Sequence, residues 1–304
     1  MTAEWKSPWE KHEIIKAAGE MTPFIFHGKE YRVVNQMNKE AYKCYPAATP
    51  SKGIHDDHFI VYNVEEDRIM SAPLYNSYFA SAFVHDDRIY CFCVDYELDR
   101  PWWHCRRLLM LSSDDLITWT RPQIVLEGEP EEWLFNTSIT FNGKSFVMLY
   151  ETNSYHPFTF KFAESDDLIH WNKIPDAVYG KEKYVGGPTL EFFDGYYYAT
   201  YVNCFQNTET GKNNHDTRIA RSRDLILWED SPHSVLSPLY DFPDPKRPDL
   251  QQTNASDAEF LEKDGKVYAF WCGGNQLDVD FARNYRSVYS GTLQQLFESF
   301  FDNK

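Results

Sequence analysis

The chain has no run of about 18 apolar residues, the minimum for a membrane-spanning helix, so an ordinary helical span is excluded. Its opening stretch, MTAEWKSPWEKHE, has neither the basic start nor the apolar core of a secretory leader, and the expectation is a cytoplasmic protein. Basic residues are scarce: 30 Lys and Arg face 46 Asp and Glu, a formal charge of −16 that argues against nucleic acid or an anionic membrane as a partner. The six cysteines, at 44, 91, 93, 105, 204 and 272, form no CxxC pair and no metal-type spacing. They read as reduced thiols, with Cys91 and Cys93 on one face of a strand, and no cofactor or metal is expected.

Long helical periodicities are also few. Aromatic residues are plentiful instead, 17% of the chain with 20 Tyr, 22 Phe and 9 Trp, which favours half-buried strands. A repeat organises them. HGKEY, DDRIY, NGKSF, DGYYY and DGKVY each pair a two-residue turn with an aromatic strand, and their second turn residues fall at 28, 87, 143, 195 and 265. A second marker follows in the middle three units: SDDLITW at 113–119, SDDLIHW at 165–171 and SRDLILW at 222–228. Ser and Asp hold a turn there, Leu plugs it and Trp packs over it, closing a third strand onto a fourth.

Each unit therefore has four strands, and five units spanning residues 1–304 make one all-β domain, a five-bladed β-propeller. Residues 5–16 are expected to supply an outer strand to the last unit. Residues 292–301 are expected to form a short C-terminal helix with Leu293, Leu296, Phe297, Phe300 and Phe301 on one stripe. Tight turns at one end of the strands and long connections at the other separate a structural face from a working face.

Alternation along a strand lets the five hairpins be read by column, counting back from the turn. Eight residues back stand Glu20, Phe79, Phe135, Gly187 and Asp257; six back stand Thr22, Ser81, Thr137, Thr189 and Glu259. On this register Glu20, Asp257 and Glu259 are the candidate catalytic carboxylates, because acids crowded on one face raise each other's pKa. Glu191 shares their parity but lies deeper, and Glu151 is a weaker candidate. Trp102, Trp103, His104, Trp133, Asn136, His215, Asn275 and Gln276 complete the candidate binding set with Thr22, Thr137 and Glu191: aromatic faces stack on sugar rings and Asn, Gln and His fix hydroxyls. The segment His55-Asp56-Asp57-His58 has metal-ligand composition, but alternation splits its side chains.

The Asp-Gly and Asn-Gly hairpins, the SxDLxxW closures and the carboxylates at inner-strand starts resemble the five-bladed propeller glycoside hydrolases of families 43, 32 and 117. Phe135-Asn136-Thr137-Ser138, Phe162-Ala163-Glu164-Ser165, Asn254 with Ser256-Asp257, Gly274-Asn275-Gln276 and Tyr289-Ser290-Gly291-Thr292-Leu293 point to a less characterised branch of them. The resemblance implies an exo-acting glycosidase that takes a terminal sugar from a small oligosaccharide or glycoside. This chain departs from family 43 at two places: Thr22-Pro23 stands where an Asp precedes the Pro, with Glu20 the nearest acid, and Val185-Gly186-Gly187-Pro188 stands where a Glu serves as general acid. The family 32 signatures are absent. With Glu20 as base and the Asp257 and Glu259 pair as source of the acid, the expected outcome is inversion. The alternatives are a carbohydrate-binding propeller without catalysis and a phosphorylase that would use Arg106, Arg107, Arg218 or Arg286.

Overall fold

A computed structural model describes residues 5–15, 19–37, 56–97, 103–208, 211, 213–239, 248, 251–275 and 282–301. The chain divides into two compact units, Gly19–Lys183 and Met1–Ala18 with Tyr184–Lys304.

The first unit holds three antiparallel sheets of four strands. They are β2 (Met21–Phe26), β3 (Lys29–Gln36), β4 (His58–Asn63) and β5 (Arg68–Tyr75); β6 (Ser77–His85), β7 (Arg88–Asp95), β8 (Arg107–Ser113) and β9 (Gln123–Glu127); and β10 (Leu134–Phe141), β11 (Phe146–Thr152), β12 (Thr159–Ser165) and β13 (Asn172–Tyr179). Consecutive strands pair within each sheet, as local hairpins require. Buried side chains such as Phe92, Leu108, Met148 and Tyr150 fill one core of this unit, and Val33, Phe59, Val61 and Leu111 fill another.

The second unit holds one eight-stranded sheet that reads as two groups of four. β14 (Gly186–Phe193), β15 (Tyr196–Gln206), β16 (Asn213–Ser222) and β17 (Trp228–Asp230) form one group; β18 (Asn254–Lys263), β19 (Lys266–Gly274), β20 (Ala282–Ser290) and the N-terminal β1 (Lys11–Ile15) form the other. A single parallel pair, His215 with Asn254, joins them. β1 adds antiparallel to β20, with Lys11 opposite Val288 and Ile15 opposite Asn284, so the outer strand expected from this stretch is supplied by Lys11–Ile15. The helix α1 (Leu293–Ser299) follows, opened by a reciprocal cap between Thr292 and Gln295. Its Leu293, Leu296 and Phe297 are buried, and Phe297 packs edge-on against Phe260 at 5.0 Å between ring centres. The expected fold class, five four-stranded antiparallel modules and one short C-terminal helix, is observed.

The turn chemistry explains most of the register. His27-Gly28, Asp86-Asp87, Asp194-Gly195 and Asp264-Gly265 each have positive φ at both positions, as a two-residue hairpin with the natural strand twist demands. The third hairpin differs from expectation. Phe141 pairs with Phe146, leaving a four-residue connection in which Asn142 Oδ1 accepts from the backbone N–H of Lys144 and of Ser145, both at 2.9 Å. The Asn side chain competes for those donors, so the turn opens at Asn142 before Gly143 is reached.

The SxDLxxW closures are three copies of one device. Ser113, Ser165 and Ser222 accept from the N–H of Leu116, Leu168 and Leu225 at 2.8 to 2.9 Å. Asp115, Asp167 and Asp224 each accept from the two N–H groups that follow the Leu. Satisfying backbone groups locally lets each Leu adopt φ of 64° to 65° and still point its side chain into the core.

Candidate active site

The inner strands depart from simple alternation, and this changes the reading of the site. β6, β10, β14 and β18 each carry a bulge near their starts, between Tyr78 and Ser81, Leu134 and Thr137, Gly186 and Thr189, and Ser256 and Glu259. β2 pairs without interruption from Met21 to Phe26. A bulge leaves a residue without a partner and turns it away from the face that parity assigns. Counting places Asp257 and Glu259 on one face; the bulge falls between Ser256 and Glu259 and takes in Asp257, whose φ is +52°. Glu20, which shares Asp257's column by counting, precedes an unbulged strand and is not its structural counterpart.

The column six back from the turn does hold. Ser81 Oγ and Thr137 Oγ1 meet at 2.8 Å in the first unit, and in the second Thr189 Oγ1 donates to Ala258 O at 2.6 Å and approaches Glu259 Oε2 at 3.4 Å. The column eight back is not polar throughout: Phe79 and Phe135 are buried and pack edge-on at 5.6 Å.

In the first unit, His104 stacks on Trp133 with ring centres 3.7 Å apart and planes 13° from parallel, both half-buried. Asn136 donates to Glu151 Oε2 at 3.2 Å, which places the weaker carboxylate candidate against an expected binding residue. Trp103 lies against Phe79 at 5.4 Å, Thr22 is buried on β2, and half-buried Glu20 accepts the Asn35 N–H on its backbone carbonyl at 2.9 Å. No motif or column pointed to Glu132, a buried carboxylate that accepts from Lys161 at 2.6 Å, Ser154 at 2.9 Å and the Glu129 N–H at 3.0 Å. These bonds overcome burial and bring its pKa down to about 2, the state of a fixed anion that holds a loop.

In the second unit the site centres on Asp257. The residue is half-buried, and loss of solvent raises its pKa against the opposing effect of a hydrogen bond from Ser256. Ser256 Oγ donates to Asp257 Oδ2 at 2.5 Å, and Asn254 Nδ2 donates to Ser256 Oγ and to Cys272 O, both at 2.9 Å. On the other side lies Gly187, itself in a left-handed conformation at φ of +53°; a Cβ there would stand 2.5 Å from Asp257 Oδ1. His215 pairs with Asn254 across the strand seam, and burial keeps its pKa low and its ring neutral. Glu191 lies deeper on β14, where burial and the neighbouring Glu262 push its pKa up to about 7. Asn275 Nδ2 reaches Gln251 O at 3.5 Å.

Trp102 and Gln276 lie outside the described residues, as does His55 of the acidic histidine segment. Of its other members, Asp57 is buried and accepts from Tyr96 OH at 2.7 Å, while His58 stacks on Tyr75 at 4.5 Å. Three of the four arginines weighed for phosphate have carboxylate partners: Arg107 with Glu127 at 3.1 Å, Arg218 with Asp216 at 2.6 Å and Arg286 with Glu13 at 2.6 Å. The phosphorylase reading loses those cations to ion pairs.

Neither protein-family models nor curated proteins match this sequence. Solved structures do. BT0996, solved as an RGII complex, superposes with a TM-score of 0.65 at 14% identity, covering 94% of this chain and 92% of that one. A thermostable family-43 glycoside hydrolase gives 0.59 at 12%, covering 92% and 89%. A xylan β-1,4-xylosidase from Bacillus halodurans C-125 gives 0.60 at 16%, covering 88% of this chain and 52% of that one. At such identities the likeness establishes the fold, and across nearly its whole length this chain has the five-bladed propeller fold of family 43 glycoside hydrolases.

Proposed function

We propose that the protein is a glycoside hydrolase that removes a terminal sugar from a small oligosaccharide or glycoside, with Asp257 as proton donor. The observation that carries the reading is the place of Asp257: a carboxyl on a backbone bulge, its pKa raised above the usual aspartate value by loss of solvent, in a residue that is still partly exposed. Glycosidic cleavage needs one carboxyl that is protonated at working pH and positioned to give that proton away. In the proposed step the Asp257 proton passes to the glycosidic oxygen as the bond from that oxygen to the sugar breaks. Water supplies hydroxide to the sugar and returns a proton to the enzyme.

In the first unit by itself, the stacked His104 and Trp133 rings form a flat apolar surface of the kind that holds a sugar face; in the second unit by itself, Asn275 offers an amide for a hydroxyl. Glu20 precedes an unbulged strand and has no shared register with Asp257 to make it the base, so the stereochemical outcome rests on the anomer first released.

A panel of aryl glycosides and short plant or algal oligosaccharides tests the reading. Turnover of at least one member is expected, and Asp257→Asn should lower it by about 100-fold or more, the usual low end for loss of a general acid. Proton NMR of the first anomer released decides the stereochemistry. Binding of a sugar with no product after long incubation would instead support a carbohydrate-binding propeller, a reading favoured by the lack of any carboxyl in Val185-Gly186-Gly187-Pro188.

A further inference from the structure

Asp257 is flanked on both sides by residues to which the proposed chemistry gives no role. We infer that Asn254 and Ser256 hold the Asp257 proton on Oδ1, and that Gly187, by having no side chain, leaves that oxygen the space from which it works. The inference rests on the proposed role of Asp257 and adds three positioning residues to it.

The direction of the hydrogen bonds sets the proton's place. The Asn254 amide sends one N–H to the Cys272 carbonyl, which can only accept, so its NH2 end faces Ser256 as well. Ser256 Oγ therefore already accepts a proton from Asn254. Its own hydrogen points to Asp257 Oδ2 at 2.5 Å. Were the acid protonated on Oδ2, that hydrogen and the hydroxyl hydrogen of Ser256 would compete for one line. The loser would be stranded beside Ser256, which is 1% exposed, at the cost of an unmade bond in a dry site. With the proton on Oδ1 every donor in this series of hydrogen bonds keeps its acceptor.

Oδ1 is also the oxygen turned to Gly187. Around it Gly186, Ser256 and Ala258 are buried while Gly187 and Asp257 retain partial exposure. A Cβ at 187 would lie 2.5 Å from Oδ1 and 3.3 Å from Asp257 Cα, too close for either to stay. Both residues sit at bulges on their own strands, each with φ near +50°, a conformation glycine adopts freely and aspartate tolerates. The titratable and charged groups on the neighbouring strands are Glu259, Glu262 and Lys263 on β18, Lys266, Tyr268 and Cys272 on β19, Glu191 on β14, and His215, Asp216, Arg218 and Arg221 on β16; among the described hydrogen bonds, the side chain donating to the Asp257 carboxyl is Ser256.

The first test does not need activity. Carbon NMR of protein labelled at the aspartate carboxyl, with the residue-257 signal identified through Asp257→Asn, follows its titration in the wild type, Ser256→Ala and Gly187→Ala. Loss of the Ser256 bond should move the midpoint upward by about one pH unit, and Gly187→Ala should shift the carboxyl signal as the side chain is displaced. The second test compares a dinitrophenyl glycoside, whose leaving group needs no proton, with the matching alkyl glycoside, whose leaving group does. Both variants should lose at least ~10-fold more rate on the alkyl substrate than on the dinitrophenyl one. If circular dichroism shows both variants folded and the residue-257 titration is unchanged, the positioning role is overturned. If the titration moves as expected but no glycoside is cleaved by the wild type, positioning stands and the hydrolase reading fails. Equal losses on both substrates would reduce Ser256 and Gly187 to structural support and overturn the inference.

Discussion

Glu191 shows how a single half-buried carboxyl sets a pH response. Burial and the charge of Glu262 raise its pKa from 4.5 to about 7, so the native state holds a proton that the unfolded chain releases near 4.5. Between those values the folded form binds more protons than the unfolded one, and stability falls as pH rises. Above about 7 the ionised group is present in both states and the whole cost of keeping it desolvated is felt. Glu191→Gln removes that cost without changing shape. The variant should match the wild type in thermal unfolding at pH 5 and exceed it at pH 8, by at most about 3 kcal/mol at about 1.4 kcal/mol per pH unit. An equal gain at both pH values would mean that packing, and not ionisation, limits this position. The residue's depth on β14 is evident from counting back from the turn; its protonation is not, because Glu262 is brought close by the folding of another strand.

At the level of elements, the β20 edge of the second unit's sheet is covered by a strand from the other end of the chain. β1 covers the edge of β20, His12 meets Ser287 Oγ at 2.7 Å, Trp9 donates its indole N–H to Val235 O at 2.6 Å, and Trp5 stacks on His233 at 4.2 Å. Removing residues 1–15 would uncover an edge strand and two aromatic contacts. The truncated protein should melt at least several degrees lower and aggregate on heating, measurable by scanning calorimetry and light scattering; an unchanged melting temperature would show β1 to be dispensable. This outer strand is legible from the count of strands per repeat, as are the hairpins and closures, because Gly, Asn, Asp and Ser act on backbone within a few residues of themselves. The bulges are not. Whether the backbone inserts an extra residue depends on its neighbours, and Asp257 looks in sequence like any acid two positions from Glu259. The same insertion hides the roles of Ser256, Asn254 and Gly187. Their signal is present only as the pairing of a Gly-Gly-Pro start on one inner strand with an Asn-Ala-Ser-Asp start on the next.

For the whole molecule, the decisive quantity is charge. A formal −16 surrounds any substrate with a repulsive field for anions, and three of the four arginines that could have softened it locally are held by carboxylates. A neutral glycoside should therefore be turned over at a rate nearly independent of salt, changing less than roughly 2-fold in kcat/KM between about 10 mM and about 0.3 M, because no long-range term steers it. The same glycoside bearing a uronic acid or sulfate should be poor at low salt and improve several-fold as the Debye length shrinks from about 30 Å to below about 8 Å. The comparison separates field from pocket: a local cation reserved for an anionic sugar would make the charged substrate better at low salt and worse as salt rises. That opposite slope would show that the site takes acidic glycans, and it would return Arg106, which has no carboxylate partner among the described ion pairs, to the candidate binding residues.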